Sequence, residues 1–216
     1  MSLPLIAAGE TLWLLPDGAV WWPAQRTLFA ADLHLGKGAA FRAQGQAVPA
    51  GSSARTLARL EALVTSHGAT RLIVLGDFWH GAQGMVPALT EAVAAFATRV
   101  PTTLVLGNHD RRIHPDGLPI DVVSKPLALG ALTAAHEPPP QGSTGFTLAG
   151  HLHPAVVVHS RAGDRLRRPC FVHHPHALVL PAFGGLTGAL TLRRADLAAQ
   201  GARAAVLGDG SLHWLP

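Results

Sequence analysis

The sequence has 216 residues, 48% of them hydrophobic, which provides enough apolar surface for a substantial buried core and excludes a disordered chain. Its 23 glycines and 17 prolines follow no repeat, so collagen-like and low-complexity proteins are excluded and many turns between short elements are expected. The formal charge is +4, and 15 of the 17 basic residues are arginines, a bias that suits a polyanionic partner and is equally the mark of a GC-rich genome.

The cysteine content and the N-terminal residues indicate a reducing compartment. Cys170 is the single cysteine, so no disulfide can form within the chain. Residues 1–15 have no basic residue ahead of their apolar stretch and include Glu10, unlike a secretory signal. No apolar run reaches the length that spans a membrane. The sequence therefore predicts a cytoplasmic protein with no membrane partner.

Strand and helix patterns alternate in the first half of the chain. The elements predicted there are strands over residues 11–15, 19–22 and 27–31, a helix from Ser52 or Ser53 to Gly68, a strand over 71–75, a helix over 86–99 and a strand over 102–106. The first two strands flank the turn sequence Pro16-Asp17-Gly18, and either serine can cap the helix. The β-α-β-α-β order predicts a parallel sheet whose ligands bind beyond the carboxyl ends of the strands.

The second half of the chain consists of short runs typical of β-strands, and helical patterns nearly vanish. These runs cover residues 120–124, 127–135, 145–149, 155–159, 169–173 and 177–180. Two sheets packed face to face, with helices outside them, would combine both halves in one core. No change of composition marks a linker, so residues 1–216 are predicted to form a single domain.

Five polar segments follow directly after predicted strands. They are Asp32-Leu33-His34, residues 76–80, residues 107–110, His136 and residues 150–153. Their candidate ligands are the two carboxylates of Asp32 and Asp77, one amide oxygen and several imidazoles, a set that suits manganese, iron or zinc better than calcium. In extended backbone, the i, i+2 spacing of Asp32 and His34, and of His151 and His153, would put each pair on one face, with Leu33 and Leu152 toward the core.

This ligand set predicts a pair of metal ions. Two cations about 3.5–4 Å apart can hold the attacking and leaving oxygens of a phosphoryl displacement and lower the pKa of a bridging water. Asp77 is the candidate bridging ligand, because a carboxylate has two oxygens and Gly76 allows a tight turn after the strand. A lone histidine is usually a satisfied core or surface residue, but five such segments at strand ends favour a site.

The segments D-x-H, G-D-x-x, G-N-H-D, a lone H and G-H-x-H resemble the signature of the calcineurin-like metallophosphoesterases, over residues 32–153. The resemblance implies an α/β fold, a four-layer α/β/β/α sandwich of two mixed β-sheets flanked by helices. The implied ligands of the first metal ion are Asp32, His34, Asp77 and His153. The implied ligands of the second are Asp77, Asn108, His136 and His151.

The resemblance also implies roles for the neighbours of these ligands. His109 would be the general acid that contacts the phosphate and protonates the leaving oxygen. Asp110 would either orient His109 or serve as a turn carboxylate. His80 stands where much of the superfamily has an acidic residue, so it is expected to contact substrate, support a ligand or pack, and not to bind metal.

A narrower resemblance, to the ligase-associated DNA damage response endonucleases of the PdeM group, extends over most of the chain. It rests on residues 31–38, Phe41-Arg42, Gly45, Val48-Pro49, residues 168–171 and residues 180–183. It implies a metal-dependent DNA endonuclease or phosphodiesterase with two divalent ions, Mn²⁺ before Zn²⁺ or iron. It also implies DNA as substrate and a repair ligase, helicase or exonuclease as partner.

Basic residues near these segments are candidates for substrate binding. Lys37 does not belong to a nucleotide P-loop, because the glycine expected five residues before Gly36 is Ala31. Lys37 would either neutralise a substrate phosphate or be a solvated loop residue. Arg111 and Arg112 follow the catalytic segment and are candidates for holding the scissile strand. The remaining cluster consists of Arg161, Arg165, Arg167 and Arg168, which would form either a DNA-binding hairpin or a solvated one.

Three functions stay open from the residues alone. The first is a phosphodiesterase that acts on nucleic acid. The second is hydrolysis of a small nucleotide or a phosphomonoester, which two metal ions serve equally well. The third is a protein-binding scaffold of the same fold without catalysis, against which the complete ligand set argues.

Overall fold

The strands of the computed structural model, which describes residues 1–113, 117–140, 142–159 and 163–215, form two sheets. The first sheet contains β1 (Leu3–Ala7), β2 (Glu10–Leu14), β3 (Val20–Trp22), β4 (Thr27–Ala30), β5 (Arg71–Leu75), β6 (Thr102–Val105) and β7 (Ile120–Val123), side by side in that order. Neighbouring strands from β1 to β4 are antiparallel, and those from β4 to β7 are parallel. The predicted parallel sheet is therefore confirmed and has an antiparallel extension.

The second sheet is also mixed. Its strands are β8 (Leu127–Leu129), β9 (Leu132–Ala134), β10 (Phe146–Ala149), β11 (Pro154–His159), β12 (Arg165–His174), β13 (Ala177–Val179), β14 (Leu190–Leu192), β15 (Arg203–Leu207) and β16 (Leu212–Trp214). Their order is β14-β11-β12-β13-β10-β9-β8, with β15 paired to β12 and to β16. The pairs β9–β10 and β10–β13 are parallel, whereas β11–β12 and β12–β13 are antiparallel.

The helices lie on the outer faces of the two sheets. They are α1 (Lys37–Ala43), α2 (Ser52–His67), α3 (Pro87–Arg99) and α4 (Arg194–Ala199). The apolar faces of α2 and α3 pack on the first sheet, and Leu197 of α4 packs on the second sheet. Within the described part of the chain, no helix combines the length and the apolar character needed to cross a membrane.

Alternation along β5 explains the layered core. Ile73 and Leu75 face the second sheet, where they pack with Phe171 and Leu178, whereas Leu72 and Val74 face α2 and α3. A strand covered on both sides must be apolar, and this is why residues 72–75 form a continuous apolar run after Arg71 at the start of the strand. The predicted four-layer α/β/β/α sandwich is confirmed.

Several predicted element boundaries are wrong. Residues 127–135 form two strands, because Gly130 turns the chain with a φ of 67°. Neither serine caps α2: its N-cap is Gly51, and the Ser53 hydroxyl instead accepts the Gly36 N–H at 2.9 Å. The sequence patterns also missed β1, α1 and the C-terminal elements β14, α4, β15 and β16. By contrast, α2 ends at Gly68 as predicted.

The topology brings both sheets to one end of the molecule. Asp32, Asp77 and Asn108 follow the parallel strands β4, β5 and β6, and His136 and His151 follow β9 and β10. The sheets are joined at this end, where Ala31 bridges to Ala182. All five predicted segments therefore meet at the carboxyl ends of parallel strands.

Candidate metal centre

Five of the seven predicted ligands have left-handed backbone conformations. They are Asp32 (φ 53°), His34 (44°), Asp77 (48°), His151 (72°) and His153 (46°). For a residue other than glycine this conformation costs about 1–3 kcal/mol and persists where the surrounding structure enforces it. The two i, i+2 pairs therefore converge through tight turns, and the prediction of extended backbone is wrong. Leu33 is buried as predicted, but Leu152 is 37% exposed, so its predicted core position is wrong.

Backbone hydrogen bonds between the loops enforce these turns. The N–H of Asp32 donates to the Gly76 carbonyl at 3.1 Å, and the N–H of His34 donates to the Asp77 carbonyl at 2.9 Å. The N–H of Gly150 donates to the His136 carbonyl at 2.9 Å. The loops after β4 and β5 are thus tied to each other, and so are the loops after β9 and β10, which holds the candidate ligands in position without a metal ion.

Four side chains form a first ligand group, Asp32, His34, Asp77 and His153, whose ligand atoms lie within 4.8 Å of one another. The Nε2 atoms of His34 and His153 are 3.3 Å apart. Asp32 Oδ1 lies 3.5 Å from His153 Nε2, and Asp77 Oδ2 lies 3.8 Å from His34 Nε2. The His153 ring donates its Nδ1–H to the Gly188 carbonyl at 3.1 Å, which leaves Nε2 directed at the group.

A second group lies beside the first. His136 Nε2 is 3.0 Å from Asn108 Oδ1 and 3.0 Å from His151 Nδ1, and it is 3.6 Å from Asp77 Oδ1. The His136 ring is oriented by its Nδ1–H, which donates to the Leu75 carbonyl at 3.0 Å. The Asp77 carboxylate therefore presents Oδ2 to the first group and Oδ1 to the second, as a bridging ligand would.

Both groups contain lone pairs that face no hydrogen-bond donor, an arrangement that suits divalent cations. His136 Nε2 is unprotonated in the neutral ring whose Nδ1 donates to a carbonyl, yet it faces the carbonyl oxygen of Asn108. Asp32 Oδ1 is buried with no hydrogen-bond partner among the described residues. Lone pairs that face one another repel unless a positive charge lies between them, so these residues suit a pair of metal ions.

Comparison with known proteins identifies the family. The calcineurin-like phosphoesterase model matches residues 25–204. The chain belongs to the calcineurin-like phosphoesterase family. Membership makes it a metal-dependent hydrolase of phosphate esters, with a dinuclear metal site for which the two groups supply candidate ligands.

Two solved structures are similar to this phosphoesterase. The nuclease MPE of Pseudomonas putida matches it over 100% of both chains, with 36% sequence identity and a TM-score of 0.82. Yfce, a phosphoesterase from E. coli, covers 88% of this chain and 97% of its own, with 18% identity and a TM-score of 0.43. Among curated protein sequences, no significant match was found.

Burial and neighbouring charges set the protonation of the first group. Burial, followed by the positive charge that His153 and His109 can carry, lowers the pKa of His34 to about 2. The His34 ring is therefore neutral at neutral pH and can offer an unprotonated nitrogen to a metal ion. Burial also acts to lower the pKa of His153, but the nearby Asp32 carboxylate outweighs it, so the pKa is raised. Because a metal-bound imidazole nitrogen must be unprotonated, acid competes with metal binding at His153.

His109 and His80 lie together at the edge of the centre. Their rings stack with centroids 5.4 Å apart, and His109 donates its Nδ1–H to the His80 carbonyl at 3.0 Å. The ring of His34 meets that of His109 edge-on at 5.0 Å. With Asn108 and Ile113, both histidines line a cleft of about 600 Å³. His80 is therefore a packing partner of His109 as well as a cleft residue.

Of the two roles predicted for Asp110, orienting His109 or serving as a turn carboxylate, its contacts favour the second. It is fully buried, and its carboxylate accepts the backbone N–H groups of Gly107 (3.0 Å), Trp79 (3.1 Å) and Phe78 (3.3 Å). Since the His109 ring is held by a backbone carbonyl, the prediction that Asp110 orients His109 is not supported. Asp110 instead fastens the loop after β6 to the loop after β5, and burial raises the pKa of its carboxyl.

The predicted basic residues lie at different places around the centre. Lys37 begins α1, and its charge acts to lower the pKa of both His34 and His80, so it lies close to the first group. Arg111 is exposed on the turn after His109. The side chain of Arg112, and Arg161 of the predicted hairpin, lie outside the described residues.

The sequence analysis did not predict two features of the site: the backbone carbonyls that orient histidine rings, and the close contact of Gly76 with His136. The carbonyls of Leu75, His80 and Gly188 orient three histidine rings. Every residue type carries the same backbone carbonyl, so no sequence signal marks the carbonyls that orient histidine rings. The glycine at 76 carries a usable signal: a Cβ there would lie 2.1 Å from His136 Nδ1, which only glycine avoids.

Proposed function

We propose that this phosphoesterase cleaves phosphodiester bonds in DNA as a metal-dependent endonuclease. The observation that carries the proposal is the pair of ligand groups that share the two oxygens of Asp77. The similarity to a nuclease at 36% identity over the whole chain favours a nucleic acid substrate over a small one. Fifteen arginines in the sequence are consistent with a polyanionic substrate.

We assign the seven predicted ligands to two divalent ions, with Mn²⁺ favoured over Zn²⁺ or iron. Mixed carboxylate, amide and imidazole ligands without cysteine suit Mn²⁺. When bound, the two ions would activate a water and neutralise charge on the transferred phosphoryl group. The shared carboxylate of Asp77 would set the distance between them.

The side chains around the ions would bind and protonate the substrate. His109 holds its Nδ1–H on the His80 carbonyl, so in the doubly protonated ring the Nε2–H would be the proton given to the leaving oxygen, which leaves a neutral ring. Lys37 would neutralise a phosphate oxygen from the side of His34. His80 in the cleft, with Arg111 and Arg112 on the turn beyond His109, would contact the strand on the leaving side. Asp110 would act on the site only by holding the loops in position.

Finer assignments follow from the resemblance of residues 31–38 and the later segments. We infer a role in DNA repair, with a repair ligase, helicase or exonuclease as partner. Residues 1–216 would act as a single catalytic domain in the cytoplasm. Co-purification with tagged repair proteins from a DNA-damaged culture, compared with an undamaged one, would test the partner assignment.

A substrate panel tests the function. Metal-depleted protein would be reloaded with Mn²⁺, Zn²⁺ or Fe²⁺ and assayed on circular DNA, a chromogenic phosphodiester and the matching monoester. An endonuclease linearises or nicks the circle and prefers the diester. Preference for the monoester would replace the proposal with a phosphatase, and a fully loaded protein that is inert on all three would indicate a scaffold.

Two histidine variants separate catalysis from metal binding. His109→Ala should lose at least about a hundredfold in turnover and keep its metal content, since general acid catalysis contributes about 10²–10⁴-fold. His136→Ala is the matched control and should lose metal as well as activity. If His109→Ala lost metal to the same extent, His109 would be a ligand and its assignment as the acid would be wrong.

A further inference from the structure

A second depression lies next to the metal centre, on the side of His153. It has a volume of about 160 Å³, and its lining includes Pro154, Pro169, Ala182 and Arg167. His153, a ligand of the first group, forms part of the same wall. None of the side chains that line it is a carboxylate. The depression therefore places the positive charge of Arg167 beside His153, with no carboxylate in its lining.

The register of β11 and β12 determines which arginines face this depression. Arg167 lies opposite Val157, and two residues further on Pro169 lies opposite Ala155. Directly opposed residues in an antiparallel pair point to the same face, and Ala155 and Pro169 both line the depression. Arg167 thus lies on the face of the β11–β12 pair that borders the depression beside the metal centre.

Arg168 points to the other face. It lies opposite Val156, which is buried in the cluster beneath α4. Its guanidinium lies 3.2 Å from the Asp209 carboxylate, so its charge is already paired. For Arg167, by contrast, no ion pair occurs among the described residues. Two consecutive arginines therefore differ in both orientation and charge compensation.

The basic face continues away from the metal centre. Arg165 lies two residues before Arg167 and opposite His159, and is exposed on the same face. Successive same-face residues are roughly 6.8 Å apart along a strand. A chain of phosphates that leaves the centre past His153 would thus meet one guanidinium and then a second.

We propose that Arg167 binds the phosphate adjacent to the scissile one, on the part of a DNA strand that leaves the metal centre past His153. This inference rests on the proposed function. The planar guanidinium can hold two phosphate oxygens at once, and an exposed arginine needs little desolvation to do so. The contact positions the strand and carries no base specificity. Arg167 is a substrate-positioning residue, distinct from the acid His109 and from the metal ligands.

Substrate size provides the test. Arg167→Ala, Arg167→Lys and the control Arg168→Ala would be assayed with a single-stranded oligonucleotide and with bis(4-nitrophenyl) phosphate, which has no neighbouring phosphate. Arg167→Ala should raise KM for the oligonucleotide about tenfold and leave the small diester within twofold. Arg167→Lys should recover part of the loss, and Arg168→Ala should match the native protein on both substrates. Equal melting temperatures would verify folding.

Salt dependence gives an independent readout. With Arg167→Ala, the slope of log affinity against log salt for the oligonucleotide should fall in magnitude by about 0.7, the value of one single-strand phosphate contact. An unchanged slope and KM, or equal losses on both substrates, would overturn the inference and leave the proposed function intact. If native protein hydrolysed only the small diester, the proposed function and this inference would both fall.

Discussion

Replacement of Gly107 by alanine should disable the metal centre through a single methyl group. A Cβ at this position would lie 2.2 Å from Asp77 Oδ1 and 2.3 Å from the Asp77 backbone nitrogen. The backbone of Gly107 is not left-handed, so alanine adds only a steric conflict. The Asp77 carboxylate would have to move, and it is the one group that reaches both ligand sets.

The distance that Asp77 must move determines the expected loss of rate. Ordinary contacts begin at 3.4 Å, so Asp77 Oδ1 must retreat by about 1.2 Å. That oxygen also accepts the N–H of His109 at 3.0 Å, so the proposed acid would be displaced with it. A misplacement of about 1 Å costs on the order of 100-fold in rate, which is about 2.7 kcal/mol of barrier. The assay is kcat on the chromogenic phosphodiester at saturating Mn²⁺, with metal content measured alongside.

Gly185→Ala is the matched control. Its backbone is not left-handed, and no atom lies within 4 Å of the position its Cβ would take. It should keep native turnover and metal content. If Gly107→Ala also turned over within threefold of the native rate with two metal ions bound, the close approach would not constrain Asp77 and the reasoning would be refuted.

Three further predictions concern stability and are measured by urea denaturation. Asp110→Asn should lower the free energy of unfolding by about 1–3 kcal/mol, because an amide cannot accept all three buried N–H groups; an unchanged midpoint would contradict this. Ser53→Ala should lower the free energy of unfolding by about 1 kcal/mol, through loss of the Gly36 hydrogen bond, and Ser52→Ala by less than about 0.5 kcal/mol. The reverse order would contradict this assignment. Burial, followed by the charge of Arg203, lowers the pKa of His173 in the folded state, so the stability from its neutral ring is present above pH 6.5 and lost as the pH falls. His173→Gln should therefore lose less stability than native protein between pH 7 and 5, and parallel losses would exclude this role.

The local patterns predicted the strands that carry the site. Residues 71–75 are β5 as predicted, and residues 27–31 and 102–106 differ from β4 and β6 by one residue at the end. Apolar runs bounded by glycine or proline are recognisable because a strand buried on both faces tolerates little else. The elements that were missed, β1, α1, β14, α4, β15 and β16, have three to seven residues and so carry little periodicity.

Orientation within the site could not be predicted in the same way. The i, i+2 spacing predicted extended backbone at the two pairs that flank Leu33 and Leu152. Hydrogen bonds between loops instead hold these residues in left-handed turns. Asp110 stands beside His109 in the sequence, yet its partners lie about thirty positions earlier, at Phe78 and Trp79. Such contacts depend on which strands are neighbours, and no local pattern encodes that.

The sequence alone predicted the chemistry of this phosphoesterase: it supplied the candidate ligands for two metal ions, the histidine proposed as the acid, and their positions after strands. The tertiary structure decided their geometry. The packing of two sheets turns both oxygens of Asp77 to different ligand groups, and strand register directs Arg167 toward the centre and Arg168 away from it. The division has a physical reason: residue types and strand periods are local properties, whereas direction and distance are set by pairing between segments far apart in the chain.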